Sequence, residues 1–172
     1  MLAVGIRSKM PNNVIVEYVK GKAYVLRVPT NIAERLGLRE GKEIPIPILL
    51  YLTYTGVAEV YNDRGEKLLF EDVIKELKDA EAFTVFTVLH DLMKKGKKVL
   101  LGDSIRELIL PDEKIKVMVI DEDSYISAED IYKLVEKSIK QETRLIIAVV
   151  DINGETTYYE VSKMDFPRIE RR

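Results

Sequence analysis

Residues 144–161 read RLIIAVVDINGETTYYEV, and this succession of strand, turn and strand decides the architecture of the C-terminal half. The run from Leu145 to Val150 is apolar on both faces, which marks it as central in a sheet covered on both sides. Asp151-Ile152-Asn153-Gly154-Glu155 contains an Asn-Gly pair, whose tolerance of positive φ suits a hairpin turn. Beyond it, Tyr158, Glu160 and Ser162 alternate with Tyr159 and Val161, the two-residue period of a late strand at a sheet edge. An unpaired edge is a template for pairing with another chain, and Tyr158, Tyr159, Val161, Met164 and Phe166 supply apolar and aromatic surface there. An ordinary sheet strand predicts the same pattern.

Working back towards the N-terminus, Ser127 and Asp130 stand three apart like a capping box, and Ile131, Leu134, Val135 and Ile139 form one apolar stripe, so a helix crosses over before the final two strands. KIKVMVID (114–121) and KKVLLG (97–102) are of strand length. AEAFTVFTVLHDLMKKG (80–96) carries two adjoining apolar rows, Phe83, Phe86, Leu89, Met93 and Val85, Val88, Leu92, which predict a well-buried helix stopped by Gly96. In the first half, NVIVEYV and KAYVLRV are strands joined across Lys20-Gly21. A short helix follows with Asn31 as its cap, Glu34 at the third helical position and Gly37 as its stop. Pro45 and Pro47 hold the helix that comes next to a start near Ile48 and an end at Thr55. VAEVYN is a strand, Asn62 to Gly65 a turn, and Phe70, Val73, Ile74 and Leu77 mark a further helix. The pattern is that of an α/β (α+β) chain in two parts that meet near Asp79 to Glu81. A small N-terminal α/β domain spans 1–80, and a second domain, a mixed β-sheet flanked by helices, spans 81–172.

With 47% apolar and 33% charged residues among 172, the chain has the composition of a globular protein that buries a core. Lys and Arg number 27 against 29 Asp and Glu, a net charge of -2, so no global basic field draws in nucleic acid or an anionic membrane. The absence of cysteine excludes disulfides, thiolate nucleophiles and Cys-ligated metals, and a single histidine excludes multi-His metal sites. No apolar run reaches the roughly 18 residues of a membrane span, and the opening MLAVGIRSKMPNN lacks the apolar core of a signal peptide, so a cytoplasmic protein is expected. Abundant Lys, Glu and Ile without Cys or Trp fit a thermophile.

Three features bear on chemistry. His90 is the one side chain whose ordinary pKa lies near neutrality. It falls mid-helix on the margin of the buried stripe and reads as a structural histidine. Asp112-Glu113-Lys114, with Asp103 upstream, spells the acid-x-Lys ending of metal-dependent nucleases, in which carboxylates hold Mg²⁺ and the lysine steadies a phosphate. Pro111-Asp112-Glu113 equally reads as a solvated turn before a strand. Lys94-Lys95-Gly96-Lys97-Lys98 is the densest positive cluster, able to complement a helix C-terminus or to touch phosphates as a stand-alone RNA-binding module would. The chain has no glycine-rich phosphate loop, nucleophile elbow or recognised metal-ligand spacing.

Taken together, ILLYLTYTGVAEVYN and LLFEDVIKEL in the first half, FTVFTVLHDLMKKGKKVLLG and, most specifically, RLIIAVVDINGETTYYEV in the second resemble the archaeal tRNA-splicing endonuclease (tRNA-intron endonuclease) family. The resemblance implies an N-terminal α/β domain and a C-terminal nuclease-like domain. It also implies assembly as four subunits that cut precursor tRNA at bulge-helix-bulge junctions, leaving 2',3'-cyclic phosphate and 5'-hydroxyl ends. Catalytic members carry a metal-free Tyr, His, Lys triad of base, acid and cation. The tyrosine slot falls at Ile109-Leu110-Pro111 here, the histidine slot at Asp112 to Ile115, and the lysine slot at Thr143, with Arg144 beside it; His90 lies far from its slot. Losing acid and base together costs several powers of ten, since positioned proton transfer alone supplies about 10²–10⁴-fold. The resemblance therefore implies a non-catalytic structural subunit without metal or cofactor, inactive alone. Its partners would be precursor tRNA and a catalytic subunit, in a two-plus-two heterotetramer. Thr157, Tyr158, Tyr159 and Val161 would pair strand to strand with the partner. The acidic turn of Asp151, Asn153, Gly154 and Glu155 would dock in a basic cleft of a subunit across the assembly.

Overall fold

The structure, a computed structural model, describes residues 12–78 and 80–164. Phe166, Asp79 and the opening segment before Asn12 lie outside the described residues. Among the described residues the fold is α+β: two mixed sheets of five strands each and five helices, in two compact units that divide between Phe86 and Thr87. No helix among the described residues is long and apolar enough to cross a membrane.

In the first unit, β1 (Val14–Val19) and β2 (Lys22–Arg27) form the expected hairpin, with Lys20 and Gly21 both at positive φ, the backbone that a tight two-residue turn demands. Helix α1 spans Thr30–Leu36 and ends on Gly37 at φ 67°. Asn31 is not its cap. Pro29, locked at φ -62° in an extended conformation, occupies that place, and its carbonyl accepts from Ile32 and Ala33, so Asn31 is already inside the helix. A two-residue β3 (Glu43–Ile44) precedes α2 (Ile46–Tyr54), which starts two residues earlier than the prolines suggested. Pro45 caps it, and Pro47 sits in the first turn, where a missing N–H costs nothing. Then come β4 (Ala58–Asn62), a two-residue β5 (Lys67–Leu68) and α3 (Phe70–Glu76), whose Asp72 carboxylate accepts from the N–H of Leu69 at 2.9 Å.

The strand order is β3-β2-β1-β4-β5, with β1 and β4 parallel and the other pairs antiparallel. One face carries Val14, Val16, Ala23, Val25, Ala58 and Val60, all buried; Leu49, Leu50 and Leu52 of α2 are buried too. Tyr54, Phe70, Phe83 and Phe86 add an aromatic cluster with ring centroids 5.2–5.7 Å apart. The opposite face, built on Ile15, Glu17, Val19, Tyr24, Leu26, Glu59 and Tyr61, remains half-buried to exposed.

Helix α4 spans Glu81–Lys94 and ends before Gly96 at φ 78°. There follow β6 (Leu100–Leu101), β7 (Glu107–Leu110), β8 (Ile115–Asp121), α5 (Ala128–Lys140), β9 (Arg144–Val150) and β10 (Thr156–Val161). Strand β7 goes beyond the sequence expectation: ELIL is too short and too closely flanked by charge to carry a period, and pairing with β8 makes it a strand. KKVLLG contributes only Leu100 and Leu101. The α5 cap is as its spacing predicts, Ser127 Oγ accepting from the N–H of Asp130 at 3.0 Å. The order β10-β9-β8-β7-β6 makes β8 the middle strand and β9 its parallel neighbour, so the doubly apolar run is interior but not central, and β10 is an edge. Under α5 the sheet face carries a buried ion pair, Lys116 Nζ to Glu107 Oε1 at 3.0 Å.

Candidate functional site

The parallel pair of β8 and β9 begins at two non-glycine residues with left-handed backbone, Lys114 at φ 55° and Glu142 at φ 54°. The two entrances lie side by side, since the carbonyl of Lys114 accepts from the N–H of Arg144 at 2.9 Å. Each such conformation costs on the order of 1 kcal/mol and persists where the surrounding chain over-determines it. Here β7 and β8 are joined through Pro111 to Lys114, and α5 and β9 through Gln141 to Thr143, so both connections must turn sharply within a few residues.

A pocket of about 250 Å³ opens between these entrances, lined by Ile109, Pro111, Lys114, Ile115, Gln141, Glu142 and Thr143. Ile109 and Pro111, Lys114 and Ile115, and Thr143, drawn from the three stretches that the resemblance singled out, thus line one cavity although 34 positions separate Ile109 from Thr143. Among the described residues that line it, Lys114 is the one cation and Glu142 the one carboxylate, and there is neither tyrosine nor histidine. Thr143 Oγ1 donates to the Ser138 carbonyl at 3.4 Å, anchoring the loop. Arg144 is engaged elsewhere, in two hydrogen bonds to Glu160 of β10 at 2.7 and 2.8 Å that keep the guanidinium protonated and hold the carboxyl below its usual range.

At the other end of the β9–β10 hairpin, Asp151 Oδ1 accepts from the N–H groups of Asn153 (2.9 Å) and Glu155 (2.8 Å), and Gly154 takes φ 80°. Glu122 Oε1 accepts from the N–H of Ile152 at 2.9 Å, pinning the turn to the end of β8. The carboxylate of Asp151 therefore builds the turn, while Asn153, Gly154, Glu155 and Ile152, the last 87% exposed, are what the turn presents. Ile152 and Glu122 were not legible as site residues, because their roles appear only once the turn is folded against β8.

Of the edge-strand residues, Tyr158 is committed inward. Its hydroxyl donates to Asp91 of α4, and Lys95 lies 2.6 Å from the same carboxylate and 4.8 Å from the Tyr158 ring. Burial and then the Asp91 contact push the phenol far above its ordinary value, so it stays protonated. At Asp91, burial acts to raise the pKa, but Lys95 and Tyr158 outweigh it and the carboxyl falls below its ordinary value. Tyr159 points to the other face and is 56% exposed, while Thr157 is exposed and Val161 half-buried.

The residues of the metal-nuclease reading do not meet. Asp103 precedes β7 and pairs with Lys137 at 3.4 Å, whereas Asp112 and Lys114 follow β7 at its other end. No group of three carboxylates or histidines able to hold a metal exists among the described residues. Within the lysine cluster, Lys95 pairs with Asp91 and Lys97 with Glu113 at 2.7 Å, an interaction that also lowers the Glu113 pKa. His90 is half-buried on α4 beside Asp91. No family model matches the chain, and no curated protein matches it.

Proposed function

We propose that this chain is the non-catalytic, structural subunit of a heterotetrameric tRNA-splicing endonuclease, supporting and positioning catalytic subunits that excise introns from precursor tRNA at bulge-helix-bulge junctions. The observation that carries the reading is the pocket between the entrances of β8 and β9: each of the three stretches that the resemblance aligns with the Tyr, His and Lys slots sends residues to it, Ile109 and Pro111 from the first, Lys114 and Ile115 from the second and Thr143 as the third, while Leu110, Asp112 and Glu113 of those stretches do not line it. Among the described residues, neither a tyrosine nor a histidine lines this pocket to serve as base for a 2'-hydroxyl or as acid for a leaving oxygen. The exposed edge of β10 and the rigid acidic turn are consistent with the docking half of the role, the first by strand addition and the second by charge complementarity to a basic cleft. Under this reading the chain works in the cytoplasm, without metal or cofactor, beside two copies of a catalytic partner.

The test is cleavage of a precursor tRNA with a bulge-helix-bulge junction, in chelator, by this chain alone and after mixing with a catalytic subunit. Cleavage in the mixture only, at a mass near four chains, is the expected result. Robust cutting by the isolated chain, or no effect of the chain on a partner that lacks activity alone, refutes the proposal.

A further inference from the structure

The open face of the first unit's sheet carries a row that crosses all five strands. Register places Glu43 of β3 beside Tyr24 of β2, Tyr24 beside Glu17 of β1, Glu17 beside Tyr61 of β4, and Tyr61 beside Lys67 of β5. Residues opposite one another in a sheet share a face, so two tyrosines flank a central glutamate. Neighbouring strands lie about 4.8 Å apart, so the backbones that carry Tyr24 and Tyr61 are separated by roughly 9–10 Å across the strand of Glu17. A flat group stacked between two rings needs about 7–8 Å, which that backbone spacing accommodates.

The charges along the row are unequally satisfied. Glu43 pairs with Lys22 at 3.5 Å, and Glu59, on the adjoining row, pairs with Lys67 at 3.8 Å. Glu59 also accepts from the Tyr61 hydroxyl at 2.7 Å, which fixes that ring. Glu17 is half-buried and makes neither ion pair nor side-chain hydrogen bond among the described residues. Ile15, Val19 and Leu26, the last 53% exposed, continue the same face with apolar surface.

We infer that the Tyr24–Glu17–Tyr61 row is a docking site for an arginine side chain of a partner protein. A guanidinium is planar, stacks on aromatic faces and meets a carboxylate with two parallel N–H donors, so one group satisfies Glu17 and both rings together. An ammonium meets the carboxylate but does not stack. A nucleic-acid strand stacks on tyrosines, but here its phosphates meet the Glu17 carboxylate and two lysines already paired with Glu43 and Glu59. The apolar residues around the row then take the neighbours of the arginine in an extended or helical segment. This inference stands on the first unit alone and is independent of the proposed role in RNA splicing.

The experiment is a backbone NMR titration of the full chain with the peptide acetyl-Gly-Arg-Gly-amide, with the isosteric citrulline peptide as control. Saturable shifts at the amides of Glu17, Tyr24 and Tyr61 are expected, absent with citrulline and weakened by about tenfold or more in Glu17→Gln. Tyr24→Leu serves as a second variant, removing one stacking face and weakening binding while Glu17 remains. Equal shifts from the citrulline peptide, undiminished binding in both variants, or shifts scattered over the surface overturn the inference. So does tighter binding of a single-stranded oligouridylate at the same amides, or self-association of the chain that Glu17→Gln abolishes, since each gives the row another occupant.

Discussion

At the scale of the residue, the acidic turn shows how one carboxylate differs from another four positions away. Asp151 is used up by its own chain, accepting from two backbone N–H groups, whereas Glu155 projects into solvent. Asp151→Ala leaves two turn N–H groups to water and removes the Asx-type brace, so it should lower stability by about 1–2 kcal/mol in thermal unfolding. Glu155→Lys touches no such bond. It should leave the melting curve within about 0.5 kcal/mol of the parent while weakening association with a catalytic subunit at low salt, read by light scattering. If Glu155→Lys melts early, or assembles as the parent does, the turn is not a docking element.

At the scale of the element, the edge strand β10 is tied to α4 by Tyr158, Asp91 and Lys95. Asp91 has its folded pKa depressed below the ordinary 3.8, so its contribution is present above that value and fades as pH falls through the lower folded value. Tyr158 has its folded pKa raised above the ordinary 10.0, so its contribution is complete below pH 10.0 and is lost only as pH rises beyond it. Between those limits the tie is constant. Tyr158→Phe removes the donor and should cost about 1–2 kcal/mol at neutral pH, and it should flatten the alkaline limb of the stability profile above pH 10 relative to the parent. A variant as stable as the parent at pH 7 would show that α4 and β10 are held by packing alone.

At the scale of the whole molecule, an edge of six residues that no other described strand covers needs either a partner or a deterrent. Tyr159, exposed on the face away from Tyr158, is where a charge acts on pairing and on little else. Tyr159→Lys should leave the isolated chain folded by circular dichroism and reduce the mass of the mixed assembly below four chains; an unchanged mass would remove β10 from the interface. Much of the architecture was determined by local pattern. The β1–β2 turn at Lys20-Gly21, the Ser127 cap with its stripe on α5, the doubly apolar β9 and the alternating β10 each carry their signal within a window of a few residues, because period and turn chemistry are local properties. Asn31, β7 and the start of α2 misled for the opposite reason: Pro29 took the cap, pairing with β8 made a strand of four residues that have no period of their own, and Pro47 was tolerated in a first turn. What only the tertiary structure decided is proximity. The sequence names Ile109, Lys114 and Thr143 without saying that parallel pairing of β8 and β9 brings them around one pocket, and it lists Tyr24, Glu17 and Tyr61 without the register that sets them in one row. Side-chain period follows from the backbone of each strand, whereas register between strands is set by the burial of whole faces and cannot be read from any one of them.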